Sequence, residues 1–80
     1  MAKKTPFEIA VIDSVRRIRE EKGYTQDDIA MFIGKTRGFI GQIESPNSKS
    51  KYNLNHLNKI AFEMECSPKD FMPEIALLEF

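Results

Sequence analysis

Residues 25–44 read TQDDIAMFIGKTRGFIGQIE and contain two helix-start signals separated by a helix-stop signal. Thr25 is followed by two aspartates, and Thr36 opens a second run with helical spacing, so each threonine can cap a helix. Gly34 ends the helix that Thr25 begins, because glycine adopts the left-handed conformation without strain. A connection this short prevents the two helices from lying side by side, and it predicts a helix-turn-helix over about residues 25–44.

Similar cap signals predict helices on both sides of this unit. Thr5, followed by a proline and then a glutamate at the third position, begins a first helix that ends at Gly23. Asn53 or Asn55 begins a fourth helix, and Ser67 begins a short fifth helix in the same way as Thr5. The alternation of apolar and polar residues that is typical of strands is nearly absent.

The predicted core consists of apolar residues that recur at helical spacing. In the first and fourth helices they are Phe7, Val11, Ile12, Val15, Ile18, Leu54, Leu57, Ile60, Ala61 and Met64. The other helices contribute Ile29, Ala30, Phe32, Ile33, Phe39 or Ile40, Ile43, Phe71 and Met72. We therefore predict a compact five-helix, all-α domain over residues 1–80, with an apolar C-terminal tail over 74–80.

The composition excludes several classes of protein. Cys66 is the only cysteine, so an intramolecular disulfide is impossible, and with a single histidine, His56, the chain cannot supply a zinc site. We expect Cys66 to be a buried apolar residue and His56 to lie on the surface. No membrane-spanning stretch or signal-peptide core is present, so we expect a cytoplasmic protein. No nucleophile–base pair or phosphate loop is present either, and we expect no enzymatic activity and no cofactor.

The net charge is zero, with 12 basic and 12 acidic residues, which by itself argues against a polyanionic partner. The charges are unevenly distributed, however. Residues 1–52 carry ten basic and seven acidic groups, whereas residues 53–80 carry two basic and five acidic groups. This asymmetry is consistent either with chance scatter or with a basic face for a polyanion in the first part of the chain.

The second helix of a helix-turn-helix presents its N-terminal residues outward. Here these are Thr36, Arg37 and Gly38, with Gly41 and Gln42 one turn later. Arginine and glutamine can form bidentate hydrogen bonds with guanine and adenine in the major groove. Each glycine costs about 1 kcal/mol of helix stability relative to alanine, so either neighbouring residues hold the helix or a close approach requires the bare backbone. Outside this motif, the arginine and the glutamine are equally consistent with solvated helix residues.

Five motifs occur in register along the chain. They are R-x-x-x-G-x-T-Q at 19–26, I-A-x-x-I-G at 29–34, T-R-x-x-I-x-x-I-E at 36–44, L-x-x-I-A at 57–61 and S-P-x-x-F at 67–71. Together they make residues 12–73, about three quarters of the chain, resemble the lambda-repressor-like and Cro-like helix-turn-helix family, the XRE family.

The resemblance implies roles for individual residues. Those that would face DNA bases are Arg37, Gly38 and Gln42. Those that would contact DNA phosphates are Gln26, Lys35, Thr36, Asn47, Lys49 and Lys51. Arg19 and Glu44 match a buried pair that links the recognition helix to the first helix. The sequence departs from the family at Lys35, where a small apolar residue is usual, at Gly38 and Gly41, which replace polar residues, and in a longer 45–53 loop.

The resemblance implies a sequence-specific regulator of transcription, a repressor or autoregulator. As a homodimer it would place two recognition helices about 34 Å apart on palindromic double-stranded DNA. One alternative is the antitoxin of a toxin–antitoxin pair, whose apolar tail (Ile75, Leu77, Leu78 and Phe80) binds the toxin. Another is a protein-interaction module that keeps the scaffold without DNA contact. The tail alone is consistent with a core lid, a dimer contact or a site for another protein.

Overall fold

The computed structural model describes residues 4–78, and these form four α-helices and one 3₁₀ turn without a strand. The elements are α1 Pro6–Glu21, α2 Gln26–Phe32, α3 Arg37–Glu44, α4 Leu54–Met64 and the 3₁₀ turn Pro68–Phe71. The all-α prediction is confirmed. The last two residues of the predicted tail, including Phe80, lie outside the described residues.

The predicted fifth helix is only one 3₁₀ turn of four residues. Met72, which we expected inside it, is extended, with φ −95° and ψ 137°. The physical reason is Pro73, because a residue that precedes proline is disfavoured in the helical conformation. The turn still packs against α1 and α4, and it buries Phe71 completely.

Each helix begins at a side-chain cap that the sequence indicated. The caps are Thr5, Thr25, Thr36, Asn53 and Ser67, and each accepts a hydrogen bond from a backbone N–H two or three residues later. Of the two candidate asparagines for α4, the structure uses Asn53. Capping is local, so the sequence alone was sufficient to locate these starts.

The helix ends are also regular. Gly23 and Gly34 have φ values of 82° and 66°, and the backbone bonds around each form the Schellman pattern of a terminated helix. The helix α4 ends in the same pattern at Glu65, with φ 57°, although no glycine marks the position. These ends set the directions of three of the four connections between elements, and the α3–α4 loop is the exception.

The core lies between the four helices and the 3₁₀ turn, and each of these elements contributes at least one buried residue to it. Its buried apolar residues are Val11, Ile12, Val15, Ile18, Ile29, Ala30, Ile40, Ile43, Tyr52, Leu57, Ile60, Ala61, Met64 and Phe71. Two predicted core residues, Phe7 and Leu54, are instead exposed. Both lie in the first turn of their helices. None of the helices within residues 4–78 combines the length and apolar character needed to cross a membrane.

Candidate nucleic-acid interface

The α2–turn–α3 unit holds α3 by its apolar side. Ile40 and Ile43 are completely buried, and the backbone N–H of Lys35 closes the turn by donating to the Ala30 carbonyl at 2.8 Å. An eight-residue helix is about 12 Å long, so one buried stripe fixes its orientation and leaves the opposite side in solvent. That outward side is the first part of the candidate interface.

The predicted base-contacting residues lie on this outward side. Arg37, Gly38 and Gln42 are exposed, and the side chains of Arg37 and Gln42 form no hydrogen bond or ion pair with any residue between 4 and 78. The backbone N–H of Phe39 donates to the Thr36 side-chain oxygen at 3.2 Å, which caps α3. The arginine and glutamine are therefore available to an external partner.

The two glycines of α3 are not required by internal packing. A Cβ atom on Gly38 would meet only the Thr36 hydroxyl oxygen, at an ordinary 3.8 Å, and one on Gly41 would meet nothing within 4 Å. Both residues also have ordinary helical φ values. Packing within the described residues therefore does not require glycine at either position.

The C-terminal end of α3, its inner end, is held by buried polar contacts. Glu44 Oε1 accepts hydrogen bonds from Arg19 Nη2 at 3.2 Å and from Gln26 Nε2 at 2.9 Å. The side chains of Arg19 and Glu44 are only 9% and 7% exposed. Arg19 Nη1 also donates to the Tyr24 carbonyl at 3.2 Å, so one guanidinium joins α1, the following turn and α3.

This arrangement bears on Gln26, which we predicted as a phosphate contact. Its side-chain amide points toward Glu44 and donates to it, and the residue is half-buried. The phosphate contact stays a prediction, and it requires the remaining amide hydrogen or a change of side-chain conformation.

Tyr52 lies near the buried Arg19–Glu44 pair, and the sequence did not indicate this position. It lies in the loop before α4, yet its ring is buried and its hydroxyl has no hydrogen-bond partner within the described chain. Burial raises the pKa of the Tyr52 phenol far above its ordinary value, the negative charge of Glu44 raises it further, and Arg19 opposes this. A tyrosine in a polar loop has no periodic signal, so only the folded structure places it here.

Lys4 is a second residue that the sequence missed. Its buried ammonium group donates to the carbonyl oxygens of Ser45, at 2.5 Å, and Ser48, at 2.7 Å. Ser45 is the C-terminal cap of α3, where the helix dipole favours a cation. The N-terminal segment therefore holds the end of α3 and the start of the 45–53 loop.

The loop residues predicted to contact phosphates differ in their surroundings. Lys49 and Asn47 are exposed, and their side chains make no polar contact within residues 4–78. Lys51 instead forms an ion pair with Glu8 at 2.6 Å, and this contact is the main reason why the pKa of Glu8 is lowered. The Lys49 ammonium is thus unpaired within residues 4–78, whereas the Lys51 ammonium already donates to a carboxylate.

Lys35 and His56 adjoin the N-terminal end of α3. The Lys35 ammonium lies 5.4 Å from the centre of the Phe39 ring, and the exposed lysine remains beside the outward residues. His56 is half-buried rather than on the surface as predicted, because it packs edge-on against Phe39 and Tyr52. Burial, followed by the charge of Lys35, lowers the pKa of His56.

The predicted site residues therefore form two groups at the two ends of α3. The N-terminal group is Lys35, Thr36, Arg37 and Gly38, with Gln42 one turn later. The C-terminal group is the loop with Asn47 and Lys49, held in place by Lys4. The helix that separates the two groups is only about 12 Å long.

Comparisons with known proteins bear on the family and the fold. The family model for helix-turn-helix proteins matches residues 15–69. A comparison with curated proteins found no match. Among solved structures, the restriction-modification controller protein C.AhdI from Aeromonas hydrophila has a TM-score of 0.67 and 22% identity, covering 80% of this chain and 94% of the controller protein.

Two other similar structures are of a different kind. The structures of FeII HppE and CoII HppE in complex with substrate have TM-scores of 0.69 and 0.70, each at 18% identity. They cover 82% and 84% of this chain but only 36% of the HppE chain. These likenesses show the fold alone. Because the fold occurs in proteins with different descriptions, function has to be argued from the surface residues.

Proposed function

The chain belongs to the helix-turn-helix family of the XRE type, and we propose that it is a sequence-specific DNA-binding regulator of transcription, acting as a repressor or autoregulator. The observation that supports this most directly is the outward side of α3. Arg37 and Gln42 are exposed and unpaired within residues 4–78, and they lie beside two glycines that internal packing does not require. This is the surface that a helix needs in order to enter the major groove and contact base edges.

In this proposal, two sets of contacts have different tasks. Thr36, Lys35 and the loop residues Asn47 and Lys49 bind backbone phosphates and set the register of α3 along the duplex. Arg37 and Gln42 then contact base edges, where arginine favours guanine and glutamine favours adenine. The glycines let the helix backbone come closer to the bases. The proposed function is binding without catalysis, and it uses no cofactor.

We further propose that the regulator acts as a homodimer on a palindromic operator. A single eight-residue helix offers few contacts, so one copy alone would bind weakly. Two recognition helices about 34 Å apart fit one turn of DNA. The chain measures 35 × 26 × 21 Å, which allows two copies in contact to present their α3 helices at this separation. With zero net charge, non-specific binding should be weak.

The decisive experiment is in vitro selection from a random duplex library with the full chain. We expect enrichment of a palindrome with half-sites about one turn apart. The matched control is the double variant Arg37→Ala/Gln42→Ala, which changes only exposed side chains and should lose the enrichment while remaining folded by circular dichroism. If the parent chain enriches no sequence, the proposal is wrong, and a protein-interaction module becomes the better explanation.

A further inference from the structure

An apolar groove lies between the N-terminal parts of α1 and α4. It has a volume of about 330 Å³, and its apolar lining includes Phe7, Val11, Leu54, Leu57 and Met72. Leu54 is 77% exposed. The two stripe residues that the structure leaves out of the core, Phe7 and Leu54, therefore line the same groove. The Glu8–Lys51 ion pair lies at its border.

The chain also carries an apolar segment, residues 74–78, that the rest of the described residues cover only in part, since Leu77 is half-buried. After Pro73 the backbone forms neither helix nor strand, and Ile75 and Leu78 are 71% and 67% exposed. Burial of such side chains is favourable because it removes apolar surface from water. An open apolar groove and a largely exposed apolar segment are thus present in one small chain.

We propose that residues 74–78 of one copy of this chain occupy the groove of a second copy, and that the second copy's tail occupies the groove of the first. The inference rests on the homodimer of the proposed function and identifies the surface that forms it. Such a reciprocal exchange has the two-fold symmetry that most homodimers show.

The occupant is assigned to a second copy for two reasons. Met72 is itself part of the groove wall, so the chain's own tail would have to reverse direction at once, at Pro73, whose ring restricts the backbone. In the folded chain it does not do so, because Ile75 and Leu78 remain exposed. A tail that arrives from another copy needs no reversal.

Charge supports the same assignment. Glu74 precedes the apolar tail residues, and Lys51 borders the groove, where its ammonium group can contact a second carboxylate besides Glu8. The other strongly exposed apolar side chains of the described residues, Met31 and Phe62, do not line the groove. Single exposed apolar residues are normal on protein surfaces and need no partner.

The first test is sedimentation of the full chain and of three variants. The parent chain should be a dimer, whereas a variant that ends at Pro73 and the variant Leu54→Glu should both be folded monomers. Phe62→Glu is the matched control, because Phe62 is on the same helix and is 73% exposed but lies outside the groove; it should remain a dimer. A monomeric parent chain, or a dimer that survives the loss of the tail, would overturn the proposal.

The second test measures the contact directly by disulfide crosslinking. In a Cys66→Ala background, which has no other cysteine, Leu54→Cys protein is mixed with Ile75→Cys protein under mild oxidation. We expect a crosslinked heterodimer on a non-reducing gel, and none when Phe62→Cys replaces Leu54→Cys. Failure of the first pair to crosslink, or equal crosslinking of both pairs, would show that the tail does not lie in the groove of a second copy.

These results are separable from the proposed function. If the tail contact is absent but a palindrome is enriched, DNA binding stands and the dimer uses another surface. If the crosslink forms but no DNA sequence is enriched, the tail exchange stands and the DNA-binding proposal is wrong.

Discussion

The two ends of α3 differ in what their polar side chains contact, although the helix has only eight residues. At the C-terminal end, Glu44 is buried and accepts hydrogen bonds from Arg19 and Gln26, while Lys4 binds the carbonyl of the cap residue Ser45. At the N-terminal end, Arg37 is exposed and unpaired within the described residues. The polar groups at the C-terminal, inner end bind other groups of the protein, whereas those at the N-terminal, outer end remain available to a partner.

The difference shows how a short helix can present side chains in a defined direction. A helix of this length is marginal on its own, so its position comes from tertiary contacts rather than from propensity. The buried ion pair fixes one end, and the apolar stripe of Ile40 and Ile43 fixes the rotation. The exposed residues then need no contacts of their own to point outward.

The largest expected effect breaks the inner end. Arg19→Met would leave the buried Glu44 carboxylate without its cation, and we expect a loss of about 3–5 kcal/mol in the free energy of unfolding. Urea denaturation followed by circular dichroism measures it. Arg16→Met is the matched control on the same helix, since its pair with Glu20 is more than half exposed and should contribute only about 0.3–0.5 kcal/mol. Equal losses in the two variants would mean that burial of the Arg19–Glu44 pair is energetically unimportant.

The next effect concerns the outer end. Arg37→Ala should weaken binding to the selected operator by about 1–3 kcal/mol and relax the preference at one base position. The free energy of unfolding should change by no more than about 0.5 kcal/mol, because the exposed side chain makes no hydrogen bond or ion pair within residues 4–78. Titration of labelled duplexes with single base changes measures the affinity and the base preference, and urea denaturation measures the stability. Arg17→Ala, an exposed substitution on α1, is the control and should alter neither the affinity for the operator nor the base preference. An unchanged base preference for Arg37→Ala would remove this residue from base recognition.

A smaller effect separates the two loop lysines. Lys49→Gln should reduce the slope of log affinity against log salt by about one unit, as expected for one lost phosphate contact. Lys51→Gln should reduce it less, because Lys51 already pairs with Glu8. Binding titrations at several salt concentrations measure both slopes. If neither substitution changes the slope, the 45–53 loop does not contact phosphates.

The smallest expected effect is a pH dependence of stability that arises from His56, a residue of α4 that packs against Phe39 of α3. Burial and the Lys35 charge lower the pKa of His56 below its ordinary 6.5, so the unfolded chain takes up this proton first as the pH falls. The stability contributed by neutral His56 is therefore present above about pH 6.5 and is lost as the pH falls from 6.5 through the folded-state pKa. Protonation of Nδ1 would also remove the acceptor for the Asn53 N–H.

The variant His56→Gln tests this sign. Glutamine at the same position can accept the capping hydrogen bond but does not titrate. Its urea midpoints measured on the two sides of pH 6.5 should therefore differ less than those of the parent chain. Glu8 does not confuse the result, because its pKa is lowered from 4.5 and its own contribution is lost only at more acidic pH. A parent chain whose midpoint rises as the pH falls below 6.5 would contradict the assignment.

Much of the fold could be predicted from the sequence because its signals are local. Thr5, Thr25, Thr36 and Ser67 cap their helices by bonding to backbone groups two or three residues away, and such contacts can be inferred from neighbouring letters. The exception was the last element, where Pro73 shortened the predicted helix to one 3₁₀ turn.

The candidate site was predictable only in part. The exposed position of Arg37 follows from helical periodicity. The burial of Lys4 and Tyr52, and the inward direction of the Gln26 amide, depend on residues that are distant in sequence. The outermost stripe residues, Phe7 and Leu54, show the same limit, because periodicity says which side of a helix is apolar but not whether another element covers it.

The sequence by itself therefore determined where the helices begin, where α1 and α2 end, and which side of α3 faces outward, because these properties depend on backbone caps and a period of 3.6 residues. Only the tertiary structure decided which polar groups are occupied within the protein and which remain for a partner. Lys49 and Lys51 look equally available in the sequence, yet Lys51 is paired with Glu8, whereas the Lys49 side chain makes no polar contact within residues 4–78. The physical reason is that hydrogen bonds and ion pairs act over a few ångströms in space, whatever the separation along the chain.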